Sequence, residues 1–186
     1  MGVLCMIIGQ SGSGKSTSLR NFTNSEVGIF NVAGKPLPFR NHLRKADRPG
    51  YRAISDSLRK NACHCYVIDD STYLMQFEMF QHAKESGYTK FTDMAFNFEQ
   101  LLEIAADTDE DTTVYFLHHP QFAEDGKAKP QTVGKMLDNQ LNIEGLFPIV
   151  IEATMQDGKH VFVTENNGIN IAKTPMDMLP PVMDND

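Results

Sequence analysis

Short apolar segments alternate with polar turns along this chain of 186 residues. Val3 to Ile8 is a continuous apolar run that stops at Gly9, which is typical of a buried parallel strand. Similar runs predict strands at Val27 to Val32, His64 to Ile68, Thr112 to Leu117, Pro148 to Ala153 and Val161 to Thr164. Helical patterns lie between them at Lys15 to Phe22, Ile54 to Lys60, Ser71 to Glu85, Thr92 to Ala106 and, more weakly, Val133 to Leu141.

This order of elements predicts an α/β fold. Strands that alternate with helices form a mostly parallel sheet with helices on both faces. The sequence Gln156-Asp157-Gly158-Lys159 predicts an antiparallel hairpin near the C-terminal end. The length and the 41% apolar content suit one domain, which we expect over residues 1–175, followed by a loosely held acidic tail over 176–186.

Composition also restricts the compartment. The chain has no run of eighteen apolar residues and lacks the basic start of a secretory signal, which predicts a soluble, cytosolic protein with no membrane partner. Three cysteines, Cys5, Cys63 and Cys65, make an odd count that does not suit a disulfide framework. Cys63-His64-Cys65 does not have the spacing of a zinc-binding pair, and no second cysteine pair exists to complete such a site.

The charge is unevenly distributed. A net charge of -7 argues against a nucleic-acid partner when it is taken alone. The segment from Lys35 to Lys60, however, has eight cations and two anions, a local charge of +6 that leaves -13 for the remainder. Arg40, Arg44 and Lys45 belong to this segment, so an acidic protein still has a candidate basic face.

The strongest motif lies directly after the first strand. Gly9 to Ser16 matches the phosphate-binding pattern G-x-x-x-x-G-K-[ST] between a predicted strand and a predicted helix. Glycines let backbone N–H groups turn inward around a phosphate, Lys15 would bridge the β- and γ-phosphates, and Ser16 would ligate Mg²⁺. A glycine-rich turn that caps an ordinary helix is the alternative. The predicted nucleotide-binding residues are Gly9, Gln10, Ser11, Gly12, Ser13, Gly14, Lys15, Ser16 and Thr17.

Acidic and histidine side chains follow two later strands. Asp69 and Asp70 end an apolar strand at the edge where open α/β sheets bind ligands. Asp69 is expected to hold Mg²⁺ through water, and Asp70 to orient or deprotonate the attacking water or, alternatively, to cap the next helix. His118 ends the neighbouring strand, where it would sense the γ-phosphate or would be an inert, hydrogen-bonded histidine.

With these residues placed, the chain resembles the RecA-type P-loop ATPases of the AAA/RecA grouping, and most closely the small phage-encoded ATPases of the Sak-four single-strand-annealing clade. The resemblance covers nearly the whole chain. It is found in Gly9 to Thr17, Asn31 to Phe39, Val67 to Asp70, Phe116 to His119, Thr132 to Asp138 and the final hairpin. It implies a RecA-like core that uses ATP and Mg²⁺, binds single-stranded DNA and promotes annealing or homologous recombination in the cytoplasm of a phage-infected bacterium.

The resemblance also implies partners and further contacts. The expected assembly is a homo-oligomer, as a ring or short filament, with a single-strand-binding protein as a further partner. DNA would contact the loops after the Asp69 strand and the His118 strand, where aromatic rings can stack on bases beside cations. Solvated loops are the alternative. The DNA-contact candidates are Arg40, Arg44, Lys45, Tyr88, Lys90, Phe91, Phe122, Lys127 and Lys129, and a neighbouring subunit would insert Lys129 or Lys135 into the ATP site.

Two departures from the RecA pattern keep other functions open. RecA-type recombinases place a glutamate just after the second strand to activate water, and the matching position here is Ala33, so Asp70 is the substitute base. The chain also begins at its first strand, without the separate polymerisation domain of RecA. A small-molecule or nucleoside kinase, with Lys35 to Lys60 as its lid, and an ATP-controlled assembly or DNA-packaging factor are the alternative functions.

Overall fold

An eight-stranded mixed sheet forms the centre of the fold in the computed structural model, which describes residues 1–124, 126–134 and 141–185. Its strand order is β10-β9-β8-β1-β5-β4-β2-β3, and β6 and β7 form a separate two-stranded sheet. All pairs from β8 to β3 are parallel, whereas β9 and β10 pair antiparallel at one edge. The strands are β1 Val3–Ile8, β2 Gly28–Asn31, β3 Lys45–Asp47, β4 Cys65–Asp69, β5 Thr113–His118, β6 Pro120–Phe122, β7 Ala128–Pro130, β8 Ile149–Gln156, β9 Lys159–Val163 and β10 Val182–Asp184.

The α/β class, the mostly parallel sheet and the C-terminal hairpin are confirmed. The hairpin joins β8 to β9 through Asp157 and Gly158, both with positive φ, which is the backbone of the tight turn that the sequence predicts. Each matching strand lies within three residues of its predicted limits.

Apolar residues are buried on both faces of the sheet. Met6 and Ile68 belong to one core cluster, and their chain neighbours Ile7 and Val67 belong to the other. Successive side chains of a strand point to opposite faces, and both faces are buried. Apolar residues therefore occupy successive positions of these strands, which explains the continuous apolar runs in the sequence.

The helices cover the two faces unequally. Side chains of α1 Tyr51–Lys60, α2 Thr72–Gln81 and α3 Thr89–Ala106 all pack into the first core cluster. The second cluster receives Leu19 from a short 3₁₀ helix, Ser16–Asn21, where the sequence predicts a helix over Lys15 to Phe22. Its Ser18 hydroxyl donates to the carbonyl oxygen of Lys15 at 2.7 Å, a side-chain bond of the kind that competes with regular helix geometry. A second 3₁₀ helix covers Ile143–Leu146.

The basic segment and the C-terminal tail contain structure that the sequence patterns do not show. The basic segment contains β3, and α1 begins three residues before the predicted Ile54. Within the predicted loosely held tail, Val182–Asp184 is paired with β9, and the guanidinium of Arg20 donates to the carbonyl oxygen of Asn185 at 2.6 Å. Most of the weak helix predicted over Val133 to Leu141 lies outside the described residues. No described helix has the length and apolar character needed to cross a bilayer.

The parallel strands β1, β5, β4 and β2 end at one edge of the sheet. In the order of the sheet, the chain leaves these strands at Gly9, His119, Asp70 and Val32. Because β5 lies between β1 and β4, the glycine-rich loop and Asp69 are separated by one strand, with His119 following that strand. This edge holds the candidate site, as expected for an open α/β sheet.

Candidate functional site

The glycine-rich loop after β1 has a backbone that requires glycine. Gly12 and Gly14 adopt φ values of +82° and +100°. A Cβ at Gly14 would lie 3.0 Å from the side-chain nitrogen of Asn185 and 3.1 Å from the ring of His160. A Cβ at Gly9 would come within 2.5 Å of the carbonyl oxygen of Ala153. The loop is therefore fixed by both conformation and space.

Lys15 is folded over this loop. Its ammonium donates hydrogen bonds to the carbonyl oxygens of Gly9 at 2.6 Å and Gln10 at 3.1 Å. The residue is 6% exposed, and burial lowers the pKa of the amine to about 8 although Asp70 and Asp69 favour the charged form. A buried cation that is held by carbonyl oxygens can exchange them for phosphate oxygens, which carry more negative charge.

Ser16 and Asp69 are brought together as expected. The Ser16 hydroxyl donates to Oδ1 of Asp69 at 2.8 Å, across 53 positions of sequence. Burial and then the neighbouring Asp70 raise the pKa of the Asp69 carboxyl, which is 3% exposed. A hydroxyl and a carboxylate are oxygen ligands that suit Mg²⁺, and a bound cation would favour the ionised carboxylate.

The residues fit a shared magnesium site and not one made by protein alone. Within residues 1–124, 126–134 and 141–185, no three His, Cys, Asp or Glu side chains cluster as a metal site. Mg²⁺ in nucleotide-binding proteins takes one or two protein ligands and completes its shell with phosphate oxygens and water. Ser16 and Asp69 supply what such a site needs from the chain.

Asp70 is held by two cationic or potentially cationic side chains. Its Oδ2 lies 2.7 Å from the Lys35 ammonium, and its Oδ1 accepts a hydrogen bond from Nε2 of His119 at 3.1 Å. Burial by itself would raise the pKa of Asp70, but the His119 hydrogen bond and the Lys35 pair outweigh it and lower that pKa. Both carboxylate oxygens of Asp70 are thus engaged by Lys35 and His119, while the Asp70 carbonyl oxygen accepts a hydrogen bond from the Tyr73 N–H at the start of α2.

The two adjacent histidines have different surroundings, and His118 is not where a γ-phosphate sensor is expected. Its ring is fully buried, with Nε2 donating to the carbonyl oxygen of Gln131 at 2.8 Å and Nδ1 lying 2.8 Å from the Ser71 hydroxyl. Burial lowers the pKa of His118 to about 4, so the ring is neutral. His119, the next residue, contacts Asp70 instead. His118 therefore matches the inert alternative.

These groups surround a pocket of about 260 Å³. Both carboxylates, both lysines and His119 face the same space. The lining residues are Ser11, Gly12, Gly14, Lys15, Ser16, Thr17, Lys35, Pro36, Pro38, Asp69, Asp70 and His119. The remaining predicted loop residues, Gly9, Gln10 and Ser13, line a second pocket of about 310 Å³ on the other side of the loop, beside Phe122 and Glu152.

Sequence reasoning missed Lys35 and His119. In the sequence Lys35 is one cation of the basic segment, and only its place after β2 puts it at the same sheet edge as Asp70. His119 follows β5 directly, and strand alternation indicates that one of the two histidines faces away from the site without saying which. Ala33 follows β2 and brings no carboxylate to the site.

The DNA-contact candidates lie on three segments. Arg40 and Arg44 are exposed in the connection before β3, and Lys45 in β3 is paired with Asp47. Tyr88, at 88% exposure, precedes α3, and Phe122, at 55%, ends β6. Lys127 is exposed and Lys129 is half-buried in the β6–β7 hairpin, and Lys135 lies outside the described residues.

Two of these candidates also support the connection between α2 and α3. The Lys90 ammonium donates to the carbonyl oxygens of His82 at 3.1 Å and Glu85 at 2.6 Å, and it lies 5.4 Å from the centroid of the Phe91 ring. A Cβ at Gly134 would touch Phe91 at 3.4 Å, so the segment after β7 reaches the start of α3. The two loops expected to contact DNA are therefore neighbours here.

No protein-family model and no curated protein matches this chain.

Proposed function

We propose that this protein is an ATP-binding, Mg²⁺-dependent P-loop ATPase of the RecA-like type that binds single-stranded DNA and promotes annealing or recombination. The observation that carries the ATPase part is the convergence of Lys15, Ser16 and Asp69 on one pocket behind a loop whose glycines have positive φ. A turn that merely capped a helix would not need a buried lysine or a carboxylate from a strand two places away.

Each residue has a task in this proposal. Lys15 would exchange the loop carbonyls for the β- and γ-phosphates, and Ser16, directly, and Asp69, through water, would hold Mg²⁺. Mg²⁺ neutralises charge that develops on the phosphates. Asp70, 4% exposed at the same edge, is the carboxylate best placed to orient the attacking water, and His119 positions it through their hydrogen bond.

The DNA part is supported by exposed rings beside cations. Tyr88 and Phe122 lie in the segments that follow the Asp69 strand and the His118 strand, where the RecA resemblance expects DNA. Stacking on aromatic rings together with phosphate contacts is how proteins bind single strands without sequence preference. An oligomer, and a neighbouring subunit's Lys129 or Lys135 at the ATP site, remain part of this proposal.

The basic segment favours an ATPase over a kinase. A kinase lid would be formed by residues 35–60, but this segment contains an edge strand of the sheet and α1, whose Ile54 and Leu58 are buried in the core. A kinase would also transfer phosphate to an added acceptor, whereas an ATPase releases inorganic phosphate.

The first test is nucleotide binding and turnover by the wild type and Lys15→Ala. We expect the substitution to abolish Mg-ATP binding in calorimetry and phosphate release, because it removes the buried phosphate-binding cation. Lys60→Ala, which removes an exposed cation of α1, is the matched control and should behave as the wild type. Equal binding by Lys15→Ala and wild type would refute the nucleotide site.

The second test is whether single-stranded DNA stimulates phosphate release. Stimulation, with a mobility shift of a labelled oligonucleotide at low salt, supports the full proposal, since phosphate contacts are strongest there. Turnover without any shift at low salt would leave an ATPase and exclude DNA as its partner. Light scattering with and without ATP measures the expected oligomer and identifies an assembly factor if only the oligomeric state responds.

A further inference from the structure

Lys35 is the second cation of the nucleotide pocket, and its side chain is accessible. Its ammonium lies 2.7 Å from Oδ2 of Asp70 and 5.6 Å from the centroid of the Tyr73 ring. The Lys35 side chain is 58% exposed, whereas that of Asp70 is 6% exposed. The pair therefore joins a buried carboxylate to a lysine that reaches in from the open side of the pocket.

The backbone at Lys35 is fixed by hydrogen bonds with Asn31 at the end of β2. Asn31, which is 1% exposed, donates from its amide to the carbonyl oxygen of Lys35 at 2.7 Å. The N–H of Gly34 donates to the carbonyl oxygen of Asn31 at 3.1 Å, and Gly34 has a φ of +66°. Pro36 and buried Leu37 follow. With the main chain held on both sides, the part of Lys35 left to move is its four-carbon side chain.

The charges of the pocket change when Mg-ATP enters. Before that, two lysines and two aspartates share the space, and Lys35 has Asp70 as its anion. In the proposed function, Lys15 and the Mg²⁺ held at Asp69 would bind the phosphate oxygens that lie deepest in the pocket. A γ-phosphate in this pocket would bring further anionic oxygens, and these would compete with the Asp70 carboxylate for Lys35.

We propose that Lys35 is a phosphate-binding cation supplied by the same chain, which Asp70 holds in the nucleotide-free state and which transfers to the γ-phosphate when Mg-ATP binds. This inference rests on the proposed ATPase function and adds a residue and an order of events to it. The transfer frees one oxygen of Asp70, while His119 still holds the other at 3.1 Å.

The hydrolysis step then has a place for each charge. The water oxygen bonds to the γ-phosphorus as the bond to the bridging oxygen breaks, and that electron pair stays with ADP. The water proton passes to the freed oxygen of Asp70 and then to solvent. Lys35 stabilises the charge on the transferring group, the role that an arginine finger has in other P-loop enzymes.

The kinetic test compares Lys35→Ala, Lys35→Arg and the control Lys60→Ala. We expect Lys35→Ala to lower kcat by about 1,000-fold, at the low end of what a cation that stabilises the transferring phosphoryl group contributes. KM for ATP should rise by less than about tenfold, because Lys15, Ser16 and Asp69 still bind the nucleotide. Lys35→Arg should restore at least a tenth of wild-type turnover. An unchanged kcat in Lys35→Ala would overturn the inference.

The second test uses the wild type, so it does not depend on the folding of a variant. Amine acetylation at each lysine is measured by mass spectrometry in free protein, with Mg-ADP and with a Mg-bound non-hydrolysable ATP analogue. We expect the analogue to slow acetylation of Lys35 at least fivefold, Mg-ADP to leave it near the free rate, and Lys60 to respond to neither.

The outcomes separate this inference from the proposed function. If calorimetry shows no binding of either nucleotide to wild type, the proposed ATPase function fails, and this inference with it. If both nucleotides bind and Lys15→Ala abolishes binding, but the acetylation rate of Lys35 does not depend on the γ-phosphate, the ATPase stands and the role of Lys35 is overturned.

Discussion

The roles of neighbouring side chains at the sheet edge depend on which face of the sheet each one points to. His118 and His119 are adjacent in sequence, yet one is neutral inside the α3-covered face and the other hydrogen-bonds the carboxylate of Asp70. The ring of His118 packs 6.1 Å from that of Phe98 and has hydrogen-bond partners at both nitrogens. Its contribution is therefore to the stability of the fold, and this contribution depends on pH.

Stability should fall as the pH is lowered through the range in which only the unfolded chain protonates His118. The folded-state pKa is about 4, against an ordinary value of 6.5, because burial disfavours the charged ring. Between pH 6.5 and 4 the unfolded state binds a proton that the folded state does not, so the free energy of unfolding decreases by up to roughly 3 kcal/mol. Urea unfolding across this range measures the slope.

The variant His118→Gln isolates this contribution. Glutamine keeps an amide that can donate to the Gln131 carbonyl but does not titrate, so its unfolding free energy should depend less steeply on pH than that of the wild type. His42→Gln removes an exposed histidine and should leave the slope unchanged. Parallel slopes for His118→Gln and wild type would contradict this, because they would show that His118 binds its proton equally well in the folded and unfolded states.

At the scale of elements, strands and helices with a regular apolar pattern are predictable from the sequence, whereas three-residue strands and 3₁₀ helices are not. The six strands with apolar runs and the three α-helices were found, because burial on a sheet or helix face produces a period in the sequence. The three-residue strands β3 and β10 lie in polar or mixed sequence and are too short to show any period. The 3₁₀ helix after the loop has helical spacing, but local Ser18 bonding alters its geometry.

The candidate site shows the same division. Lys15 and Ser16 are predictable because they belong to a fixed motif, and Asp69 is predictable because it ends an apolar strand. Lys35 and His119 could not be assigned, because their roles depend on which strands are neighbours and which way one side chain points. The packing of the tail near the loop, through Asn185 beside Gly14, is a contact between residues 171 positions apart that no local pattern contains.

Gly14 and Gly87 offer a matched test of the glycine-rich loop as an element. Their φ values are +100° and +99°, so alanine at either position carries a similar backbone strain of about 1–3 kcal/mol. A Cβ at Gly87 meets nothing within 4 Å, whereas one at Gly14 forces Asn185 and His160 to move. Gly14→Ala should therefore lower the unfolding free energy more than Gly87→Ala and should alone weaken Mg-ATP binding. Equal effects of the two substitutions in denaturant melts and calorimetry would contradict the close packing of this loop.

For the whole molecule, the structure changes the meaning of the +6 segment. Lys35 lines the pocket of the candidate site, Lys45 is paired with Asp47, and Arg52 and Arg59 lie 3.8 Å and 3.7 Å from Asp56 on α1. The charge that looks like one basic face along the sequence is thus divided among a cation that lines the candidate site, an edge strand and a helix. Arg40 and Arg44, exposed in the connection before β3, are the part that best suits DNA phosphates.

The salt dependence of single-strand binding tests this division. The slope of log K against log salt is about 0.7 per phosphate contact for single strands, so removing Arg40 and Arg44 together should reduce its magnitude by about 1.4. The matched double variant Arg52→Ala/Arg59→Ala removes the same charge from α1 and should keep the wild-type slope. Fluorescence anisotropy of a labelled oligonucleotide over a salt series gives both values.

Phe122→Ala separates stacking from charge in the same experiment. The ring is 55% exposed on the hairpin, and loss of one stacked base costs about 1–3 kcal/mol, so affinity should fall by about fivefold or more while the salt slope stays constant. This combination would place bases on the β6–β7 hairpin and phosphates on the β2–β3 connection. An unchanged affinity in Phe122→Ala, together with an unchanged slope in the Arg40/Arg44 double variant, would contradict both assignments, because a single strand bound elsewhere would respond to neither substitution.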